Sequence, residues 1–421
     1  MSVRGPMSVA VAALFGFLLA ASPAIVHAEF ETEKGWNGHL FSSYIIATAT
    51  VQLPEASGDE DEDNTAALGD RQGLLGVTIE ADEDDQPVKV TITCDSIMEP
   101  SAFSGTLPKA GETYTINPKI KYKFDLLAKR SQTGPVTVTY KVEIGDEEAE
   151  EKTETLTLRS VNDCPFIIVK DEQQRDVSFM FAAYVNEQHP FVDRVLREAL
   201  DTQIVDSFTG YQAKDKKEVY RQAYALWHAL SQRDVRYSSI TASVAESESV
   251  ASQHVRMIDE SINNGQANCV DGSVLLASLL RKVGIEPMLV MVPGHCYLAF
   301  WLDAEGKELA ALETTMIGSV VEDETIKVDG LDGVVGEDSR DENSWKTFAA
   351  AIATGVANLN KNAKNFKDAK NSDYQLISVR AARKLGILPI GFQSNQKFVA
   401  APTGDAASDP ADGDDDGDSK E

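Results

Sequence analysis

Cys269, His295 and Glu313 follow one another closely along the chain, and their types fit thiol-based acyl transfer. A thiol works as a nucleophile when three things meet: a stabilised thiolate, a base within reach, and a group that orients the base. Cys269 sits in "QANCVDGS", just ahead of the apolar run "VLLASLLRKVG". Asn268 is a favourable N-cap, and Asp271 resembles the acid of a shortened capping box, so the cysteine falls at the start of a helix. Unpaired N–H groups and the dipole at such a start favour a thiolate and can hold an oxyanion. Asp271 opposes the thiolate by its charge, and capping is its simpler role.

His295 opens the strand "HCYLAFWL", 295 − 269 = 26 residues after the cysteine. A helix, a strand and a turn can return the chain over that distance. Side chains alternate along a strand, so His295, Tyr297, Ala299 and Trp301 share one face. Cys296, Leu298, Phe300 and Leu302 share the other, which reads as core. On this phasing Cys296 is a buried free thiol that points away from Cys269.

The loop "DAEGK", centred between Ala304 and Glu305, pairs residues whose numbers sum to about 609, which sets His295 opposite position ~314 and beside Glu313. Asp303 is nearer in sequence but lies roughly 26 Å off, at about 3.3 Å per residue. Glu313 is therefore the group expected to hold the imidazole. A further oxyanion donor could be Gln266 or Gln253, with Gln266 preferred. No CxxC or HxxxH pair suggests zinc, and no metal or cofactor is expected.

Any one of these residues alone would more often be structural. The order helix–Cys, strand–His, strand–acid is more specific, and it is the arrangement of papain-like thiol enzymes. "GQANCVDGSVLLASLLRKVGIEPMLVMVPGHCYLAFWL" followed by "LETT" resembles the transglutaminase-like superfamily. Its bacterial members place a Cys ahead of a buried helix, "PGH" at the opening of a strand, and an acid–Thr on the next strand. The resemblance implies Cys269 as nucleophile, His295 as base and Glu313 as third member, where the family more often has Asp. It covers about 50 residues, in a superfamily of cross-linking enzymes, peptidases, amidases and inactive members. It implies a protein or peptide substrate. The rival reading is a catalytically inactive binding or assembly module of the cell envelope.

The elements that must position these residues divide in two. Over 29–170, "GLLGVTIEA", "VKVTITC", "PVTVTYKVEI" and "ETLTLRSV" alternate with period two between turn clusters, which suggests an immunoglobulin-like β-sandwich. Val88, Val90, Ile92 and Cys94 share one face, so Cys94 points into its core, and a Cys94–Cys164 disulfide is open to it. Over 172–400, "PFVDRVLREALDTQI" and "KKEVYRQAYALWHALSQR" have helical spacing and precede the helix–strand–strand unit of Cys269. His228, at the rim of the second helix, reads as structural. Two further helices, in "WKTFAAAIATGVANLNKNAKN" and "SVRAARKLGILPI", complete a papain/transglutaminase-like domain. The predicted fold class is thus α+β.

The 421 residues hold 39 Lys+Arg and 67 Asp+Glu, a net charge of −28. Phosphate neutralisation needs a basic face, so nucleic acid is excluded as a partner. Residues 1–28 carry an early Arg4, the run "MSVAVAALFGFLLAA" and small residues before Ala28, the pattern of a cleaved signal peptide. No later stretch is long and apolar enough to span a membrane, so the expected location is periplasmic or extracellular. Residues 401–421 form an expected disordered acidic tail. Asp412, Asp414, Asp416 and Gly417 match the opening of an EF-hand loop, but the Glu of the twelfth place is missing.

Overall fold

The computed structural model describes residues 30–51, 67–170, 173–239, 244–246, 249–321, 328, 330–368, 371–391 and 396–401. The expected signal peptide, the acidic stretch 57–64 and the acidic tail from 402 onward lie outside the described residues. The fold is mixed α+β, with several sheets and helices.

Two sheets fill the N-terminal part. One has four strands, in the order Glu31–Lys34, Leu75–Glu80, Thr113–Asn117, Ala67–Gly69. The other has five, in the order His39–Phe41, Glu150–Arg159, Gly134–Ile144, Gln86–Thr93, Ser101–Leu107. Period-two alternation is why they form: in Gln86–Thr93, Val88, Val90 and Ile92 are buried while Pro87 and Lys89 face solvent. Leu75, Val77 and Ile79 from the first sheet join them in one apolar core.

The strand Asp163–Lys170 leaves these sheets. It pairs antiparallel with Gln173–Asp176 on one side and with Val250–His254 on the other, where Cys164 lies opposite Gln253. This placement corrects the Cys94–Cys164 disulfide. Both thiols are free and buried. Cys94 follows a strand of the five-stranded sheet, with its sulfur 3.2 Å from Ser96 Oγ. Cys164 stands on a different sheet beside Tyr184, and burial pushes its thiol up.

The last large sheet has the order Leu309–Leu312, His295–Trp301, Pro287–Val292, Gln375–Ser378, all antiparallel. Both of its faces are covered. Leu289, Cys296, Leu298 and Phe300 join the main core with the helix Cys269–Lys282. Met288, Val290, Tyr297, Ala299 and Ala311 pack with Val356 and Leu359 of the helix Asn343–Lys361. Gly355 permits that second packing, because a Cβ there would come within 2.6 Å of the backbone of Ala311 and Leu312. The helices Pro190–Asp201 and Lys216–Gln232 form where the periodicity places them. The edge strand Gln375–Ser378 has no alternation strong enough to announce it. Among the described residues no helix is long and apolar enough to cross a membrane.

Candidate active site

Cys269 is the first residue of its helix, half-buried at a cavity mouth. Asn268 caps the helix: its Oδ1 accepts from the N–H groups of Val270 and Asp271, each at 2.9 Å. The Asp271 carboxylate returns the contact, accepting from the Asn268 N–H at 3.0 Å. Asp271 is buried and also accepts from Arg256, at 2.7 Å from Nη1 and 2.8 Å from the backbone N–H. The guanidinium offsets the negative charge that otherwise stands two residues from the thiol. The Gly272 N–H donates to the Asn268 carbonyl. Of the first four N–H groups, that of Cys269 itself has no acceptor among the described residues.

Two hydroxyls fix this first turn from the other side. Ser273 Oγ donates to the Cys269 carbonyl at 2.7 Å, Thr314 Oγ1 reaches the same carbonyl at 3.4 Å, and the hydroxyls are 3.0 Å apart. Thr314 adjoins Glu313, so the cysteine's helix is tied to the segment that carries the acid.

His295 follows the Pro293–Gly294 turn, where Gly294 has φ +71°, a backbone conformation that favours glycine. Its Nε2 lies 2.8 Å from Glu313 Oε2, and the ring shares a cavity wall with Cys269, whose thiol is near enough to raise the imidazole pKa. The Cys269 thiol, then the bond to Glu313, lift the His295 pKa from 6.5 to about 10, and burial opposes them only in part. The ring stacks on Tyr297, with centroids 6.0 Å apart. Burial alone would raise the Glu313 carboxyl. The His295 bond and charge outweigh it, with the Thr315 hydroxyl at 2.7 Å and N–H at 3.3 Å on Oε1, and hold the carboxyl below its usual value.

The strand register sharpens the sequence expectation. Leu298 lies opposite Leu312 and Ala299 opposite Ala311, so paired numbers sum to 298 + 312 = 610 rather than 609. The loop centres on Glu305 itself. The difference of one decides the face, because a one-residue slip turns every side chain over. A sum of 609 would put Glu313 opposite Cys296, on the core face. The ladder ends with Leu312 opposite Leu298, and Glu313, the next residue and still extended, alternates to the face of Ala311, Ala299 and His295, where it meets His295 diagonally. Diagonal neighbours have Cβ atoms up to roughly 7–8 Å apart, a gap that suits a glutamate better than an aspartate.

Asp303 instead closes the hairpin loop, accepting from Lys307 and Glu308 N–H groups at 3.0 and 2.9 Å. His228 is a structural residue, with Nδ1 2.7 Å from Ser344 Oγ.

Two expectations are corrected. Gln266 is exposed, in a two-stranded ladder with Arg236–Tyr237, and lines a separate cavity. Gln253 lines the cavity of Cys269 and His295 instead, because its strand pairs with Asp163–Lys170 and is carried to the cavity wall. Cys296 is buried and free, as expected, but it does not point away from Cys269. It faces Ser273 on the same helix and borders the same cavity, and burial pushes its thiol well up.

Sequence reasoning gave no role to Ser273, Thr314 or Thr315, although "ETT" carried the hint of hydroxyls beside the acid. It also missed the wall supplied by Phe166, Asp176 and Phe181, which come from far up the chain. Among the described residues no group of three or more His, Cys, Asp or Glu side chains could hold a metal ion. No protein-family model matches the chain, and no curated protein matches it.

Proposed function

We propose that the chain is an exported, cysteine-dependent acyl-transfer enzyme of transglutaminase-like type. On this reading an immunoglobulin-like β-sandwich precedes a papain-like catalytic domain. The observation that carries it is His295, held 2.8 Å from Glu313 and lining one cavity with Cys269. Cys269 sulfur attacks an amide carbonyl, forming a C–S bond and a tetrahedral oxyanion. The Cys269 N–H and the Gln253 side chain are the donors available for that oxyanion. His295, protonated at Nδ1, gives its proton to the leaving nitrogen as the C–N bond breaks, leaving a thioester. Water then attacks the thioester, His295 takes a proton from it, the C–S bond breaks, and the carboxylic acid leaves the Cys269 thiolate beside the protonated His295. A primary amine in place of water gives a new amide. Hydrolysis is the favoured outcome because water is always present. Glu313 touches no reacting atom; it is a positioning residue that fixes the imidazole and stabilises its charge.

The test compares wild type with Cys269→Ala on mixed peptide substrates, with and without a primary amine. Release of product by wild type and its loss in the variant is the expected result, and the amine arm separates hydrolysis from transfer. Equal activity of the two proteins would remove Cys269 from the mechanism. No activity in either would favour the binding module.

A further inference from the structure

The walls of the Cys269 cavity carry a charge pattern that the acyl-transfer reading does not use. The cavity measures about 250 Å³. Pockets for drug-sized ligands start at roughly 300 Å³, so this one suits a side chain or two rather than a large ligand. Phe166, Phe181, Val270 and Met291 make its body apolar. Among the described residues, the charged groups on its lining are His295, Asp176 and Asp373, and no Lys or Arg lines it. His295 is already matched by Glu313. Asp176 is held by neutral donors alone: the Ser178 N–H at 2.9 Å, the Ser178 hydroxyl at 3.3 Å and the Gln375 amide at 2.5 Å. Asp373 is exposed. Neither aspartate forms an ion pair among the described residues. Arg175, the neighbour of Asp176 on its strand, lines a different cavity, as strand alternation requires. An apolar pocket with two uncompensated carboxylates, opening onto a nucleophile, complements one kind of peptide.

We infer that this cavity selects peptide acyl donors in which an apolar side chain lies next to a basic one. The apolar group fills the space against Phe166 and Phe181, and the cation meets Asp176 and Asp373. The inference rests on the acyl-transfer reading of the site and names its substrate class.

Two measurements on the full chain test it separately from that reading. The first needs no turnover: Cys269 is labelled with methanethiosulfonates carrying an ethylammonium or an ethylsulfonate group, with Cys269→Ser reporting any labelling elsewhere. The cationic reagent should lead by about tenfold beyond its lead on a small free thiol, and 1 M salt should erase most of that, since the Debye length falls to about 3 Å. The double variant Asp176→Asn, Asp373→Asn should lose the excess while retaining its melting transition. The second measurement compares kcat/KM for matched peptide amides bearing Leu-Lys, Leu-norleucine or Leu-Glu. The Lys peptide should lead, and its lead over norleucine should shrink towards one in the double variant. A reagent ratio equal in wild type and double variant, or turnover without a Lys preference, overturns the inference and leaves acyl transfer standing. A reagent ratio that collapses in the double variant with no turnover of any peptide overturns acyl transfer, while the cation-selecting cavity stands.

Discussion

Replacing Glu313 with glutamine tests the Cys–His–acid cluster most directly, because the variant keeps shape and changes one charge. In the folded protein His295 is lifted from 6.5 to about 10 by Cys269 first and Glu313 second, against burial. An opposite charge at hydrogen-bond distance accounts for roughly 1–3 pH units of such a rise. Glu313→Gln should therefore bring the His295 midpoint down to somewhere about 7–9. Cys269→Ala, which removes the larger cause, should lower it further. With both changes only burial remains, and burial favours the neutral ring, so the midpoint should fall below 6.5. The assay is an NMR titration of 13C-labelled histidine. The chain has six histidines, and the resonance absent from His295→Ala assigns the signal. A wild-type midpoint near 6.5, or one that Glu313→Gln leaves in place, would refute the argument, because the three side chains would then not act as one cluster in solution. The same shift predicts activity. His295 must be protonated to donate to the leaving nitrogen, so kcat/KM should fall above about pH 10 in wild type and at lower pH in Glu313→Gln.

Glu313→Asp keeps the charge but shortens the reach across the strand diagonal, so it should restore the His295 midpoint only in part, read by the same titration. Near neutral pH, iodoacetamide should modify Cys269 well before Cys94, Cys164 and Cys296, which are at most 4% exposed; mass spectrometry of digested protein checks the order. Gly355→Ala should destabilise the fold by about 1–3 kcal/mol despite the better helix propensity of alanine, because the new Cβ strikes strand backbone; denaturant unfolding measures it. The site also shapes stability against pH. His295 is raised, so its contribution is complete below 6.5 and declines as pH rises through about 10. Glu313 is lowered, so its contribution is present above 4.5 and is lost as pH falls through its folded value. Unfolding curves of wild type and Glu313→Gln should therefore differ most between those limits.

The sequence by itself determined what local rules govern. Asn268 and Asp271 marked the start of the helix, and both cap it as capping chemistry requires. Gly284 closed it with φ +83°. Period-two alternation put Cys296, Leu298 and Phe300 on a core face, and the hairpin brought Glu313 near His295. These rules run over a few residues, so the chain carries them in plain view.

Tertiary structure decided everything that depended on how distant segments meet. A sum of 610 rather than 609 put the Glu313 side chain on the His295 face, and that last residue of register belongs to the loop and the packing around it. Packing of the helix Asn343–Lys361 buried the second face of the sheet, where the sequence showed only a modest amphipath. Gln253 replaced Gln266 at the cavity because its strand pairs with one about ninety positions earlier, and the same pairing separated Cys164 from Cys94. Strand partners across such distances are selected by the burial of whole faces, a sum over many residues, and no short stretch of sequence records that sum.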